Sequence, residues 1–255
     1  MRDNQSSERD LVEILERAAQ IVGAVARNLA PTTRNVRAAG HPAQYSVDLA
    51  ADEAALEFLL GEGFGVHSEE SGLHASNRSI LVVLDPIDGS SNYSRGIPWF
   101  GPALCAVDSS GPVAAVVSNL GTDDIYTAAR HSSARRNGLV VTPSKTEQIR
   151  DAFIHVDCPS RQLAKLSNVR NHGASAHSLC LVADGTLDAY IDVNNTQAPW
   201  DYLAATFIIE RAGGSSAVLE GASSYTLGDT SRRRIVAAAT PRLLRYLSSP
   251  SRFSR

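Results

Sequence analysis

The amino-acid sequence predicts an α/β or α+β layered protein made of two closely packed halves, and three observations carry that prediction. Segments of helical and strand periodicity alternate in groups. Residues 79–84, SILVVL, are apolar and β-branched at both parities, as in a strand covered on both faces, and lead directly into Asp85-Pro86-Ile87-Asp88. No repeat, low-complexity tract or linker divides the 255 residues, so they read as one compact unit, 1–255, with approximate halves 8–145 and 146–248.

From Ser7 onward, Leu11, Leu15, Ala18, Val22, Val25 and Leu29 recur at spacings of four and three. That predicts an amphipathic helix with Ser7 and Asp10 as its capping pair and Pro31 as its end. Residues 32–44 are polar and basic, contain Gly40 and Pro42, and read as a mobile loop. A second helix starts at Asp48 or Asp52, carries Ala55, Leu56, Leu59 and Leu60, and breaks at the glycines from Gly61 to Gly65. Residues 64–67 form a short strand that runs into Glu69 and Glu70. After the strand at 80–84, GPALCAV, VAAVVSN and DIYTAAR read as an antiparallel meander, and residues 149–156 suggest a further strand. GASAHSLCLVADG reads as a helix and LDAYIDV as a strand; Trp200 and Asp201 then lead a helix that Gly213 and Gly214 end. SSAVLE and RRIVAAAT are two more strands, and a short helix follows Pro241.

A formal charge of −3 and a pI near 6.2 leave no basic footprint for a nucleic acid polymer, although a small phosphorylated ligand needs only local cations. Cys105, Cys158 and Cys180 are odd in number and widely spaced, as for reduced thiols in a cytoplasmic protein. The polar, acidic N-terminus is unlike a signal peptide and no apolar run approaches a membrane span, so no membrane partner is expected.

Five acidic side chains follow elements that aim them at one place: Asp52, Glu69, Asp85, Asp88 and Asp201. Two carboxylates about 4 Å apart repel by about 4 kcal/mol even at an effective dielectric of 20, so such a cluster implies cations. Oxygen donors without a His or Cys pattern select hard ions, Mg²⁺ first and Mn²⁺ or Ca²⁺ behind it. Singly, most of the five have plain structural roles: Asp88-Gly89 is a turn dipeptide, Asp201 an N-cap, Asp52 a complement to a helix dipole, and Glu69 with Glu70 a solvated loop. Asp85 is different, because a carboxylate closing a buried strand has few structural uses. Gly89, Ser90, Ser91 and Asn92 suit a helix start or a nest of N–H groups for a phosphate. Carboxylates for cations beside amides for phosphate point to phosphoryl transfer to water.

DPIDGSSNY at 85–93 resembles the DP[IL]DG[ST]xN[FY] signature of the inositol monophosphatase family, the lithium-sensitive, magnesium-dependent phosphatases that include fructose-1,6-bisphosphatases. HSEESG resembles the family's GEE segment with Ser68 in place of the usual Gly, and WDYLAAT resembles its WDxAAG signature with Thr206 in place of the last Gly. The similarity runs from about residue 8 to about 248. It implies an α-β-α-β-α sandwich, a homodimer, and two or three Mg²⁺ per site, with Mn²⁺ tolerated and Ca²⁺ or Li⁺ inhibitory. It also implies that Glu69, Asp85 and the Ile87 carbonyl hold a first metal and that Asp85, Asp88 and Asp201 hold a second. Asp52, Glu69 and Ser90 would be the catalytic set, Asp52 and the Ser90 hydroxyl orienting and activating the attacking water. Backbone N–H groups of Gly89, Ser90 and Ser91 would hold the phosphate; Asp88, Ala174, Ser175 and Asp192 would meet the rest of the substrate. Two metals about 3.5–4 Å apart would activate the water and neutralise the leaving alkoxide in an in-line displacement. On this reading Asp88→Asn or Asp201→Asn abolishes turnover and leaves the fold intact.

The expected reaction is Mg²⁺-dependent hydrolysis of an inositol monophosphate or a similar cyclitol or sugar phosphate. The alternatives are fructose 1,6-bisphosphate, NADP or adenosine 3′,5′-bisphosphate as substrate, or a non-catalytic member of the fold. Where such enzymes accept a bisphosphate, a basic residue tends to follow the strand that carries Asp192. Asn194 and Asn195 stand there, so Arg161, Arg170 or an arginine among residues 34–37 would have to compensate.

Overall fold

The computed structural model describes residues 2–28, 35–38, 41–157, 168–219 and 225–249. Helix α1 (Arg2–Asn28) begins five residues before Ser7, so Ser7 and Asp10 lie inside it and do not cap it. Leu11, Leu15, Ala18 and Val22 are buried as their spacing predicts, each leucine or valine contributing about 1.5–3 kcal/mol, while Leu29 and Pro31 lie outside the described residues. The segment expected to be a mobile loop is, where described, a hairpin of β1 (Arg37–Ala38) and β2 (His41–Tyr45). The Arg37 guanidinium lies 3.7 Å from the centre of the Tyr45 ring and donates to its hydroxyl at 3.1 Å, which ties the two strands together. Helix α2 (Ser46–Gly61) follows at once, and Asp48 Oδ2 accepts the Tyr45 N–H at 3.0 Å.

The next elements build an eight-stranded sheet: β3 (Gly65–Ser68), β4 (Gly72–His74), β5 (Leu81–Asp88), short helix α3 (Ser90–Arg95), then β6 (Gly101–Asp108), β7 (Gly111–Asn119), β8 (Asp124–Ala129), β9 (Arg135–Arg136) and β10 (Leu139–Val140). Their order is β10-β9-β8-β7-β6-β5-β3-β4, antiparallel throughout except for the parallel pair β3 and β5. The expected meander is β6–β8. Residues 149–156 divide into a 3₁₀ turn (Ile149–Asp151) and β11 (Ile154–Val156). A second sheet, ordered β12-β11-β13-β15-β14, takes β11 with β12 (Val169–Arg170), β13 (Ala189–Ile191), β14 (Ser215–Val218) and β15 (Ile235–Ala238). Helices α4 (Ser175–Ala183), α5 (Pro199–Ala212) and α6 (Pro241–Leu247) complete the chain.

Strand parity sets the layers. Val82, Leu84, Leu104, Ala106, Ala114 and Val116 pack with α1 and α2 on one face of the large sheet. Their odd-numbered neighbours Val83, Ala103, Cys105, Ala115 and Val117 pack on the other face against α4 and α5. The same middle layer receives Tyr190, Ile235 and Ala237 from the second sheet, whose alternate residues Ile191, Val236 and Ala238 face Leu243 and Leu247 of α6. The result is the α-β-α-β-α sandwich, with α4 and α5 between the two sheets.

Candidate active site

Strand β5 is fully buried and delivers two aspartates to the same face through a bulge. Asp85 opposes Ala103 and Asp88 opposes Gly101, so three residues advance against two. In a regular strand Asp85 and Asp88 would point to opposite faces; the extra residue returns both to the middle-layer side and sends the Ile87 side chain into the opposite core. Glu69 follows β3, and its N–H donates to Leu84 O at 3.0 Å, which continues the parallel pairing and sets it beside Asp85. Asp201 comes from the first turn of α5, where Pro199 opens the helix and the carboxylate accepts the Ala198 N–H at 2.6 Å.

Carboxylate oxygens of Glu69, Asp85 and Asp201 all lie within 4.8 Å of one another. Burial first, and the neighbouring carboxylates second, push Glu69 up to about 8 and Asp201 up to about 7. Asp85 is raised well above the usual carboxylate range for the same reasons. Asp85 Oδ1 is buried with no hydrogen-bond partner among the described residues. An orphaned oxygen beside two further carboxylates is costly unless a positive charge balances it, and an all-oxygen donor set of this kind fits a hard divalent cation.

Asp88 is also buried, but both its oxygens are engaged. Oδ1 accepts Ser175 N–H at 3.0 Å; Oδ2 accepts Ala176 N–H at 2.8 Å and His177 N–H at 3.3 Å. It therefore caps α4 from 87 residues away. Burial raises it to about 7 while these bonds pull it down. The expectation that Asp88→Asn leaves the fold untouched does not fit a carboxylate with this second task. His177, next in α4, is held neutral by burial, down to about 4, and its Nε2 contacts Gly101 O at 3.1 Å.

Asp52 stands on the inner face of α2 and is buried, outside the three-carboxylate cluster. The Ser68 hydroxyl donates to its Oδ1 and accepts the Glu70 N–H at 3.1 Å. Two more carboxylates adjoin: Asp48, whose Oδ1 is buried without a partner among the described residues, and Glu70, which accepts from Gln44. Burial lifts both to about 7.

On the other side of Asp88, Gly89 adopts a left-handed φ of 85° and opens α3, so Ser90 and Ser91 occupy its first turn. A side chain at Gly89 would meet Trp99 O at 2.8 Å and Ala174 Cβ at 2.9 Å, so the close approach of the α4 entry requires glycine. Asn92 holds that approach by donating to Trp99 O and His172 O at 2.8 and 2.7 Å. Ala174 and Ser175 thus sit directly across from the start of α3.

Asp192 is fully buried and its oxygens accept Asn194 N–H and Thr196 N–H, both at 2.8 Å. The carboxylate expected to meet substrate is turned onto its own loop and sets the course of residues 194–196. A side chain the sequence reading passed over, Asp157, is a larger hub. It contacts His155 Nε2 at 3.0 Å and accepts from the Tyr190 hydroxyl and Gln197 Nε2, both at 2.6 Å. His155 stacks on Tyr190 and touches His172 Nδ1 at 3.2 Å. The alternation of His155 and Asp157 along one strand edge was the available signal, but its partners lie 33 and 40 residues on.

Arg232, also not anticipated, lies 3.8 Å from Asp201 and donates to Thr196 O. Arg170 faces the Phe153 ring at the edge of the second sheet, and Arg161, the arginine at 34 and Cys158 lie outside the described residues. Thr206 bonds Leu203 O at 3.2 Å and lines a separate cleft of about 860 Å³ on a flank of α5, which contains none of the clustered carboxylates.

A model of the inositol monophosphatase family matches residues 7–252. A fructose-1,6-bisphosphatase/inositol-1-monophosphatase of Archaeoglobus fulgidus is 36% identical over 184 residues, covering 70% of this chain and 71% of that protein. A probable inositol 1-monophosphatase, ImpA, of Mycobacterium tuberculosis is 31% identical over 204 residues, covering 73% and 75%. Among solved structures, a Pyrococcus horikoshii protein with similarities to inositol-1 monophosphatase superposes with a TM-score of 0.83 at 23% identity, covering 98% of this chain and 99% of that one.

Proposed function

This chain belongs to the inositol monophosphatase family, and from that premise we propose that it is a Mg²⁺-dependent phosphatase of small phosphate monoesters, an inositol monophosphate or a similar cyclitol or sugar phosphate. The observation that carries the reading is the convergence of Glu69, Asp85 and Asp201 within 4.8 Å, with one Asp85 oxygen buried and without a partner among the described residues. Glu69, Asp85 and the Ile87 carbonyl would hold one ion, and Asp85, Asp88 and Asp201 a second. Bound Mg²⁺ would supply Lewis-acid polarisation and a lowered pKa for water. The N–H groups of Gly89, Ser90 and Ser91 at the start of α3 would hold the phosphate. The Ser90 hydroxyl and Asp52 orient the attacking water, with Asp52 as proton acceptor: its Oδ1 is engaged by Ser68 and its Oδ2 has no partner among the described residues. Asp88 and the α4 entry at Ala174 and Ser175 bound the space for the leaving group.

A second reading, a substrate carrying a further phosphate such as fructose 1,6-bisphosphate, is favoured by Arg232, exposed beside Asp201. It also agrees with the double name of the Archaeoglobus relative. Phosphate release from a panel of inositol 1-phosphate, fructose 1,6-bisphosphate, NADP and adenosine 3′,5′-bisphosphate, with Mg²⁺ and with EDTA, tests both. The first reading expects Mg²⁺-dependent release from the monophosphate and inhibition by Li⁺; release from no member of the panel defeats both. A cytoplasmic homodimer is part of the same proposal. Free, buried Cys105 and Cys180 agree with a reducing compartment, and no described helix is long and apolar enough to cross a membrane.

A further inference from the structure

We propose that Ser68 is a positioning residue for Asp52, fixing the plane in which its carboxylate faces the attacking water; the proposal rests on the phosphatase reading above. Ser68 ends β3 and Asp52 lies one helix earlier, both almost fully buried, at 1% and 3% exposure. The two are 16 residues apart and meet only because α2 packs back along β3.

The hydroxyl is bonded on two sides. The Glu70 N–H points at Ser68 Oγ, at 3.1 Å, and occupies it as an acceptor; the hydroxyl proton is thereby directed to Asp52 Oδ1. A hydroxyl donating to an ionised carboxylate makes a charge-assisted bond, stronger than one between neutral groups. The terminal torsion of an aspartate is broad, so an otherwise unrestrained carboxylate swings through a wide range of planes. Ser68 narrows that range by holding one oxygen, Oδ1, and so aims the other, Oδ2, at the water. A glycine here, the residue the family signature usually carries, offers no such donor. The same hydroxyl joins α2, which carries the proton acceptor, to the segment that carries Glu69. Lateral shifts between the two are resisted at the point where an ångström matters most.

The test compares wild type, Ser68→Ala and Ser68→Thr, each alone and with Asp52→Asn. Ser68→Ala is expected to lower kcat about tenfold with KM within about twofold and the melting temperature nearly unchanged, the pattern of a lost transition-state arrangement. Ser68→Thr, which keeps the hydroxyl, retains kcat. In the Asp52→Asn background, Ser68→Ala has no further effect on turnover, because the proton acceptor it orients is already gone even though the amide oxygen can still accept the hydroxyl; a merely structural role would give an additive loss. A readout free of turnover is the ¹³C carboxyl resonance of Asp52, assigned by its disappearance in Asp52→Asn. It shifts in Ser68→Ala and keeps its wild-type position in Ser68→Thr. An unmoved resonance, an unchanged kcat in Ser68→Ala or additive losses in the double variant overturns the proposal. If wild type releases phosphate from no substrate, the phosphatase reading falls, and the carboxyl resonance still decides whether Ser68 orients Asp52.

Discussion

Replacing Asp201 by Asn should abolish turnover and yet make the metal-free protein more stable at alkaline pH. The Asp201 carboxyl ordinarily titrates at 3.8 and is pushed up to about 7 in the fold, chiefly by burial and then by Asp88. A raised carboxylate pKa means that the folded state binds more protons than the unfolded one between these two values. Stability is therefore fully present below pH 4 and is lost as pH rises toward 7. With these two values the linkage cost of Asp201 is about 4 kcal/mol at pH 8 and below about 2 kcal/mol at pH 5. Pairwise repulsion gives a similar scale: about 3.5 kcal/mol for two charges 4.8 Å apart at an effective dielectric of 20. Asparagine has no charge to lose and can still accept the Ala198 N–H through its side-chain oxygen. For a chain of this size about 4 kcal/mol corresponds to a rise in Tm on the order of 10 °C. The assay is thermal unfolding of both proteins in EDTA at pH 5 and pH 8, repeated with Mg²⁺. The gain should be large at pH 8, small at pH 5, and offset by Mg²⁺, which stabilises wild type more than the variant. A shift equal at both pH values, or a variant less stable than wild type at pH 8 in EDTA, would refute the argument from charge.

Asp88→Asn should not share that gain: its amide turns an N–H toward the α4 N–H groups that the carboxylate now accepts, at a cost of about 1–3 kcal/mol. The same scans check it, and near-normal hydrolysis by this variant at saturating Mg²⁺ would sink the two-metal assignment. Gly89→Ala forces a side chain onto Trp99 O and Ala174 Cβ at a left-handed φ of 85°. It should cost about 1–3 kcal/mol and lower kcat at least tenfold, read from unfolding and phosphate release on one preparation. Arg136→Ala removes a guanidinium shared between Asp124 and the mostly buried Asp184, far from the site. Urea unfolding should show a loss of about 2 kcal/mol with KM unchanged.

What the sequence disclosed was local. A strand closing on Asp85 and Asp88, the α1 stripe of Leu11, Leu15, Ala18 and Val22, and a helix from Trp200 to Gly213 are periods and caps contained in a few adjacent residues. The bulge in β5 is less accessible, because the two-against-three count belongs to the pairing with β6 and not to β5 itself. The hairpin at β1 and β2 escaped for a related reason: its residues are polar, and a cation over an aromatic ring holds them where no apolar alternation marks the strands. The leaving-group side was the least legible. Asp192 has the right residue type, but its loop takes the carboxylate for itself, and Asp157 gathers partners that only the meeting of β11, β13 and the loop before α5 supplies. Ser68 was visible as a departure from a pattern, while its partner Asp52 required the packing of α2 against β3.

The division of the acidic cluster between distant parts of the chain has a consequence for how the molecule is made. Glu69, Asp85 and Asp88 are synthesised early, whereas the α4 N–H groups that cap Asp88 come 87 residues later, and Asp201 later still. A growing chain on the ribosome therefore holds its acidic strand ends unmatched through much of synthesis, with no helix to cap one and no third carboxylate to close the cage. The cluster is complete only once α5 has been made, and two strands of the second sheet, β14 and β15, follow it. A truncated product that stops short of residue 201 would be inert as well as incomplete.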